Sequence, residues 1–70
     1  MRYGIVIEKA QHNFAAYVPD LPGCAVTGET LQDVERDIRE AVKFHLEGLR
    51  EDGMAMPEAT SIFEYVEAGE

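Results

Sequence analysis

The chain has 70 residues, with 14 acidic against 6 basic side chains and a formal net charge of -8. That length admits a single domain, residues 1–70, whose core is small enough that self-association is expected to supplement it. A surface this acidic is repelled by phosphate backbones and anionic lipid heads, which argues against docking on nucleic acid or membranes through its own charge and suits a basic partner.

Arg2 to Glu8 is β-branched and aromatic, with Tyr3, Ile5 and Ile7 sharing one face at period two, and is predicted to be a strand. Gln11-His12-Asn13 forms a polar turn, and Phe14 to Val18 resumes extended structure with Phe14, Ala16 and Val18 on one face, completing a hairpin. Pro19-Asp20-Leu21-Pro22-Gly23 lacks two backbone donors and carries a glycine, so it is a shaped loop and not a ladder. Cys24 to Thr27 is a short third strand ended by Gly28-Glu29. From Thr30 the period changes. Leu31, Val34, Ile38, Ala41, Val42, His45, Leu46 and Leu49 recur at spacings of three and four, the stripe of a long amphipathic helix. Thr30 is its N-cap, with Asp33 where a capping box places its acid, and Gly53 is its left-handed stop. Ser61 to Val66 reads as a final strand before a short tail. The expected fold is α+β in the order βββαβ: a small antiparallel sheet covered by one long helix. Beyond Gly53 the sequence carries four acids (Glu58, Glu64, Glu67, Glu70) and no Lys or Arg, so half the net charge sits on that end.

No apolar run approaches the ~20 residues of a membrane span, and no apolar signal segment follows Met1. With a lone cysteine, Cys24, that cannot form an intrachain disulfide, the expected location is the cytoplasm.

Catalytic constellations fail one by one. Gly23 to Thr30 has the spacing of a phosphate loop before a helix, but Glu29 stands where that motif requires Lys and repels the phosphates the lysine neutralises. His12, Cys24 and His45 fall in a turn, a strand and a helix with no metal-ligand spacing, so no metal or other cofactor is expected. His45, on the apolar stripe, reads as a half-buried histidine, and Cys24 as a small core residue without a neighbouring base. Carboxylates are abundant, but nothing in the pattern makes two or three converge. Asp20, held between prolines, either accepts hydrogen bonds from its own turn or serves recognition. Phe44 leaves the helix stripe and, with Phe63 or Tyr65, is a candidate subunit contact.

Tyr17-Val18-Pro19-Asp20-Leu21-Pro22-Gly23-Cys24, then Thr27-Gly28-Glu29-Thr30-Leu31, then Ile38-Arg39-Glu40-Ala41 and Leu46 to Gly53, resemble the HicB family, the antitoxins of HicA–HicB toxin–antitoxin pairs and their stand-alone relatives. The resemblance covers nearly the whole chain and implies a βββαβ, partial ribonuclease-H-like fold, matching the element order read from periodicity. It implies no enzyme: the acidic metal cluster of ribonuclease H belongs on central strands, where this chain has Tyr3, Ile5, Ile7, Phe14, Ala16 and Val18. It implies a protein-binding module that neutralises a small basic HicA-type mRNA-cleaving toxin by covering its RNA-cleaving surface. On that reading Tyr17, Asp20, Leu21, Pro22 and Gly23 lie near the contact surface, and Glu64 and Glu67 supply attraction. HicB-like domains also associate with one another, so a homo-oligomer, at least a dimer, is expected. Many HicB proteins carry a C-terminal DNA-binding segment, and the sequence to Glu70 shows none, so DNA binding is not expected of it. The alternative is an orphan oligomeric domain that binds a small ligand or another protein and has no toxin partner.

Overall fold

The computed structural model describes residues 2–69. Three strands, β1 (Val6–Lys9), β2 (Phe14–Tyr17) and β3 (Ala25–Gly28), form an antiparallel sheet in the order β1-β2-β3, followed by one helix, α1 (Leu31–Glu51). β1 and β2 close through a short turn in which the Ala10 amide donates to the Asn13 carbonyl at 2.8 Å. The register pairs Ile7 with Ala16 and Ala16 with Val26, so these three stand in one row across the sheet. That row faces the helix, as period two requires.

The expected first strand began at Arg2 and the observed one begins at Val6. The reason is the partner: Val6 already faces Tyr17, the last residue of β2; Val18 is turned to β3, donating its amide to the Cys24 carbonyl at 3.1 Å, and the next position turned to β1 is Pro19, which has no N–H to donate.

The loop between β2 and β3 is two consecutive turns built around the prolines. The Leu21 amide donates to the Val18 carbonyl at 3.1 Å, with Pro19 in the second position of the turn; the Cys24 amide donates to the Leu21 carbonyl at 3.0 Å, with Pro22 in the second position and Gly23, at φ 84, in the third. The second arrangement is a type II turn, which favours proline at its second position and needs a left-handed residue at its third. Neither missing proline N–H is needed, because Leu21 and Cys24 are the donors.

Thr30 caps α1 from extended backbone (φ -126, ψ 159), its Oγ1 accepting from the Asp33 amide at 3.0 Å. The helix ends in a Schellman motif: the Gly53 amide donates to Arg50 at 3.1 Å and the Met54 amide to Leu49 at 2.9 Å, with Gly53 at φ 69. One face of α1 lies on the sheet. Ala16, Val18, Leu21, Cys24, Val34 and Ile38 form the buried core, with Tyr3, Ile7, Phe14, Val26, Ala41, Val42 and Leu46 packed around it. Full burial of Leu21, Val34 and Ile38 contributes about 1.5–3 kcal/mol each. Leu31, expected on the buried stripe, is 41% exposed at the helix entrance.

The final strand expected over Ser61–Val66 does not form within the described residues. A strand needs an edge to pair with, and the segment has been diverted before it reaches one. Thr60 and Ser61 are tied to Asp20 in the β2–β3 loop, and Phe63 lies against Gly4, ahead of β1. Past that point Tyr65 is wholly exposed and Val66 is 87% exposed.

Candidate functional site

The residues singled out from the sequence have unlike fates. Leu21, in the middle of the proline loop, is completely buried and plugs the core between the sheet and α1. It is an internal residue and not a contact residue in this fold. Asp20 is bound from the other direction: its Oδ2 accepts from the Ser61 amide at 3.1 Å, and its Oδ1 accepts from the Ser61 hydroxyl at 2.9 Å and the Thr60 hydroxyl at 3.1 Å. Those donors, the Ser61 amide foremost, hold the Asp20 carboxyl below the usual carboxylate range. Asp20 is therefore a tether for the C-terminal segment. Neither alternative open at the sequence level, a self-contained turn or a recognition group, describes the bonds it makes. No local pattern marks Thr60 and Ser61 as its donors, forty residues away. Tyr3 adds a second tether by donating its hydroxyl to the Pro57 carbonyl.

Tyr17, Pro22 and Gly23 are exposed. Tyr17 lies on the sheet face away from the helix, opposite Ala25 of the edge strand β3, while Pro22 and Gly23 form the loop tip. Gly23 borders an open groove of about 760 Å³ between β3 and the length of α1 from Asp37 to its C-cap, Asp52. Cys24, Ala41 and Leu49 contribute its apolar floor, Phe44 stands 69% exposed within it, and Asp37, Glu40 and Asp52 are its charged members. No Lys or Arg lines it. Asp37 accepts from the Arg36 Nε at 3.0 Å, an exposed pair that offsets part of its charge. His45 also borders the groove, half-buried as the stripe predicted. Burial of Cys24 pushes its thiol pKa up, the opposite of what a nucleophilic cysteine requires.

Glu64 and Glu67 are exposed on the segment beyond the Asp20 tether and do not join this groove. Phe44 lies in the groove and Phe63 lies against Gly4, so the structure does not bring the two together in one chain. Among the described residues no cluster of three or more His, Cys, Asp or Glu side chains is placed to hold a metal ion, and no helix is long and apolar enough to cross a membrane. The groove combines an apolar centre with a one-signed rim, an arrangement that suits a macromolecular surface of opposite charge.

Comparison with known proteins gives a consistent picture. A family described as the HicB-like antitoxin of bacterial toxin–antitoxin systems matches residues 3–70. An uncharacterized 14.9 kDa protein from the rep–hol intergenic region of Haemophilus phage HP1 is 39% identical over 66 residues, 94% of this chain and 50% of the phage protein. A UPF0150 protein of Helicobacter pylori is 36% identical over 55 residues, covering 79% of this chain and 76% of the relative. Among solved structures, a chain of the HicA3 and HicB3 toxin–antitoxin complex superposes with a TM-score of 0.67 at 36% identity, over 79% of this chain and 64% of that one. The chain thus spans half the length of the phage relative and somewhat under two thirds of the solved one. The three antiparallel strands followed by one long helix are the HicB arrangement, and the family is one of antitoxins, not of enzymes. With a match running from residue 3 to residue 70, the chain belongs to the HicB-like antitoxins of bacterial toxin–antitoxin systems.

Proposed function

We propose that this chain is the neutralising half of a toxin–antitoxin pair, binding a small basic HicA-type mRNA-cleaving protein and covering its RNA-cleaving surface. The observation that carries this reading is the likeness, at 36% identity, to a chain of a HicA3 and HicB3 complex. The net charge of -8 supports it, because complementary fields speed encounter and select a basic partner over the many acidic ones in a cell. The contact surface is the groove beside β3. Phe44 is its apolar anchor, Asp37, Glu40 and Asp52 meet the toxin's cations, and Tyr17, Pro22 and Gly23 extend the contact across the loop tip and sheet edge. Asp20 and Leu21 act behind that surface by fixing the loop, and Glu64 and Glu67 add to the attracting field. The chain acts as one HicB-like domain in the cytoplasm, as a homo-oligomer, and contacts no nucleic acid itself.

Co-expression with a small basic HicA-type protein tests this. A stoichiometric complex that silences RNA cleavage is expected. Phe44→Ser should weaken that complex about 30-fold, as loss of a central anchor does, without changing the thermal melt of the free protein. Undiminished cleavage with excess antitoxin present would overturn the proposal.

A further inference from the structure

The ladder of the sheet decides which backbone groups of β3 are used and which are not. In an antiparallel pair, residues that exchange hydrogen bonds alternate with residues that do not. The Val18 amide donates to the Cys24 carbonyl, so Cys24 is directed at β2, and with it Val26, opposite Ala16, and Gly28, opposite Phe14. Ala25 and Thr27 lie between these positions and turn both N–H and C=O to the open edge of the sheet. Among the described residues nothing in the chain bonds these two amides and two carbonyls.

Edges left in water are ordinarily guarded by a charged side chain, a proline or a bulge. β3, Ala25-Val26-Thr27-Gly28, has neither charge nor proline, and its register against β2 runs without a bulge. The other edge strand, β1, carries Glu8 and Lys9. The surroundings of the two edges also differ in sign. The charged members of the groove beside β3 are all acidic, whereas the groove on the β1 side of α1 holds Arg36, Arg39 and Lys43 against Glu40, which borders both. A basic segment is drawn to β3 and not to β1.

The β3 edge also joins two surfaces that are otherwise separate. The acidic groove with Phe44 lies on the helix side of the sheet. On the opposite face Ala15, Tyr17, Ala25 and Thr27 border a shallow depression of about 260 Å³. A strand laid against β3 sends alternate side chains to the two faces, so a single extended segment reaches both.

We infer that the basic partner is held by strand addition: an extended segment of it pairs with the outward backbone groups of Ala25 and Thr27 as a fourth strand, its side chains entering the acidic groove and the Tyr17 depression in turn. The inference rests on the toxin reading above and adds how the toxin is gripped. Backbone groups of β3 supply the hydrogen bonds, and the groove selects basic and apolar side chains at every second position of the segment.

Residue-resolved hydrogen exchange on the full chain, alone and with a small basic HicA-type protein, tests the inference. In the free chain the Ala25 and Thr27 amides should exchange fast and the Val26 amide, bonded within the sheet, slowly; in the complex both outward amides should slow at least about tenfold. Thr27→Pro removes one outward donor and leaves the β2–β3 ladder its Val26 and Gly28 donors, so the helix signal should persist while affinity falls at least about tenfold. On the other edge the Ala10 amide donates to Asn13, which turns Lys9 outward, and Lys9→Pro should bind within about twofold of wild type. The exchange readout needs no variant to fold. Ala25 and Thr27 amides that exchange in a silenced complex as they do in the free chain would overturn strand addition and leave the toxin reading standing. So would a folded Thr27→Pro that binds as wild type, or an equal loss from Lys9→Pro. Absence of any complex would overturn both.

Discussion

Leu21→Ala is the substitution that most sharply separates a loop that is part of the core from a loop that serves only as a contact surface. The side chain is completely buried, and the change removes three carbons, worth about 0.8 kcal/mol each in transfer free energy, or about 2.4 kcal/mol before any cavity is counted. Two hydrogen-bonded turns frame the loop and limit how far it can collapse into the space, so a cavity term brings the expected loss to about 3–4 kcal/mol. A domain of this length holds only about 3–5 kcal/mol in its own core. The variant should therefore be largely unfolded in isolation, with its urea midpoint, followed by helix circular dichroism at 222 nm, displaced by about 3 M at the slope of a small domain. Pro22→Ala, one residue along and exposed, should cost less than about 1 kcal/mol. A Leu21→Ala loss below about 1 kcal/mol, or equal losses for the two variants, would refute the assignment of Leu21 to the core.

Gly23→Ala forces a Cβ into φ 84 and should destabilise by about 1–2 kcal/mol in the same melts, with space around the residue offering no relief because the strain is in the backbone. Asp20→Asn should release the C-terminal segment, read as faster hydrogen exchange at the Ser61 amide while the α1 amides keep their protection. Because hydrogen bonds lower the folded pKa of Asp20, its tether is at full strength above the ordinary carboxylate value of 3.8 and is lost as pH falls through the lowered value; Ser61 exchange, corrected for its intrinsic pH dependence, should show that order. Cys24, buried and with its thiol pKa raised, should react with an aromatic disulfide reagent at least about tenfold more slowly in the native protein at pH 7 than in denaturant.

The elements that depend on near neighbours were legible in the sequence. Thr30 followed by Asp33, and Gly53 after the last periodic residue, mark the two ends of α1, because caps are satisfied within a few residues. The Phe14, Ala16 and Val18 face was readable from its alternation. The failures share a physical cause, which is dependence on distant partners. Ser61–Val66 has the side chains of a strand, but pairing depends on an available edge, and the bonds from Thr60 and Ser61 to Asp20 steer it elsewhere. Leu21 between two prolines looks like a surface loop residue; its burial follows from the two turns folding the loop onto the core, which composition does not reveal. The groove beside β3 combines residues from a loop, a strand and about four turns of helix, and only Gly23 of the residues chosen for contact from sequence lines it. Phe44 was visible as the aromatic that leaves the stripe, a signal of exposure that did not by itself indicate which surface it serves.

The central claim is that this chain silences a basic RNA-cleaving toxin through the acidic groove beside β3. Titrating the purified chain into a small basic HicA-type protein, with RNA cleavage followed in the same samples, tests it most directly. Cleavage falling to background at one antitoxin per toxin, with Asp37→Lys/Glu40→Lys losing at least about tenfold in affinity while melting like the parent, is the predicted result. Full cleavage at saturating antitoxin, or inhibition indifferent to the charge reversal, would contradict it.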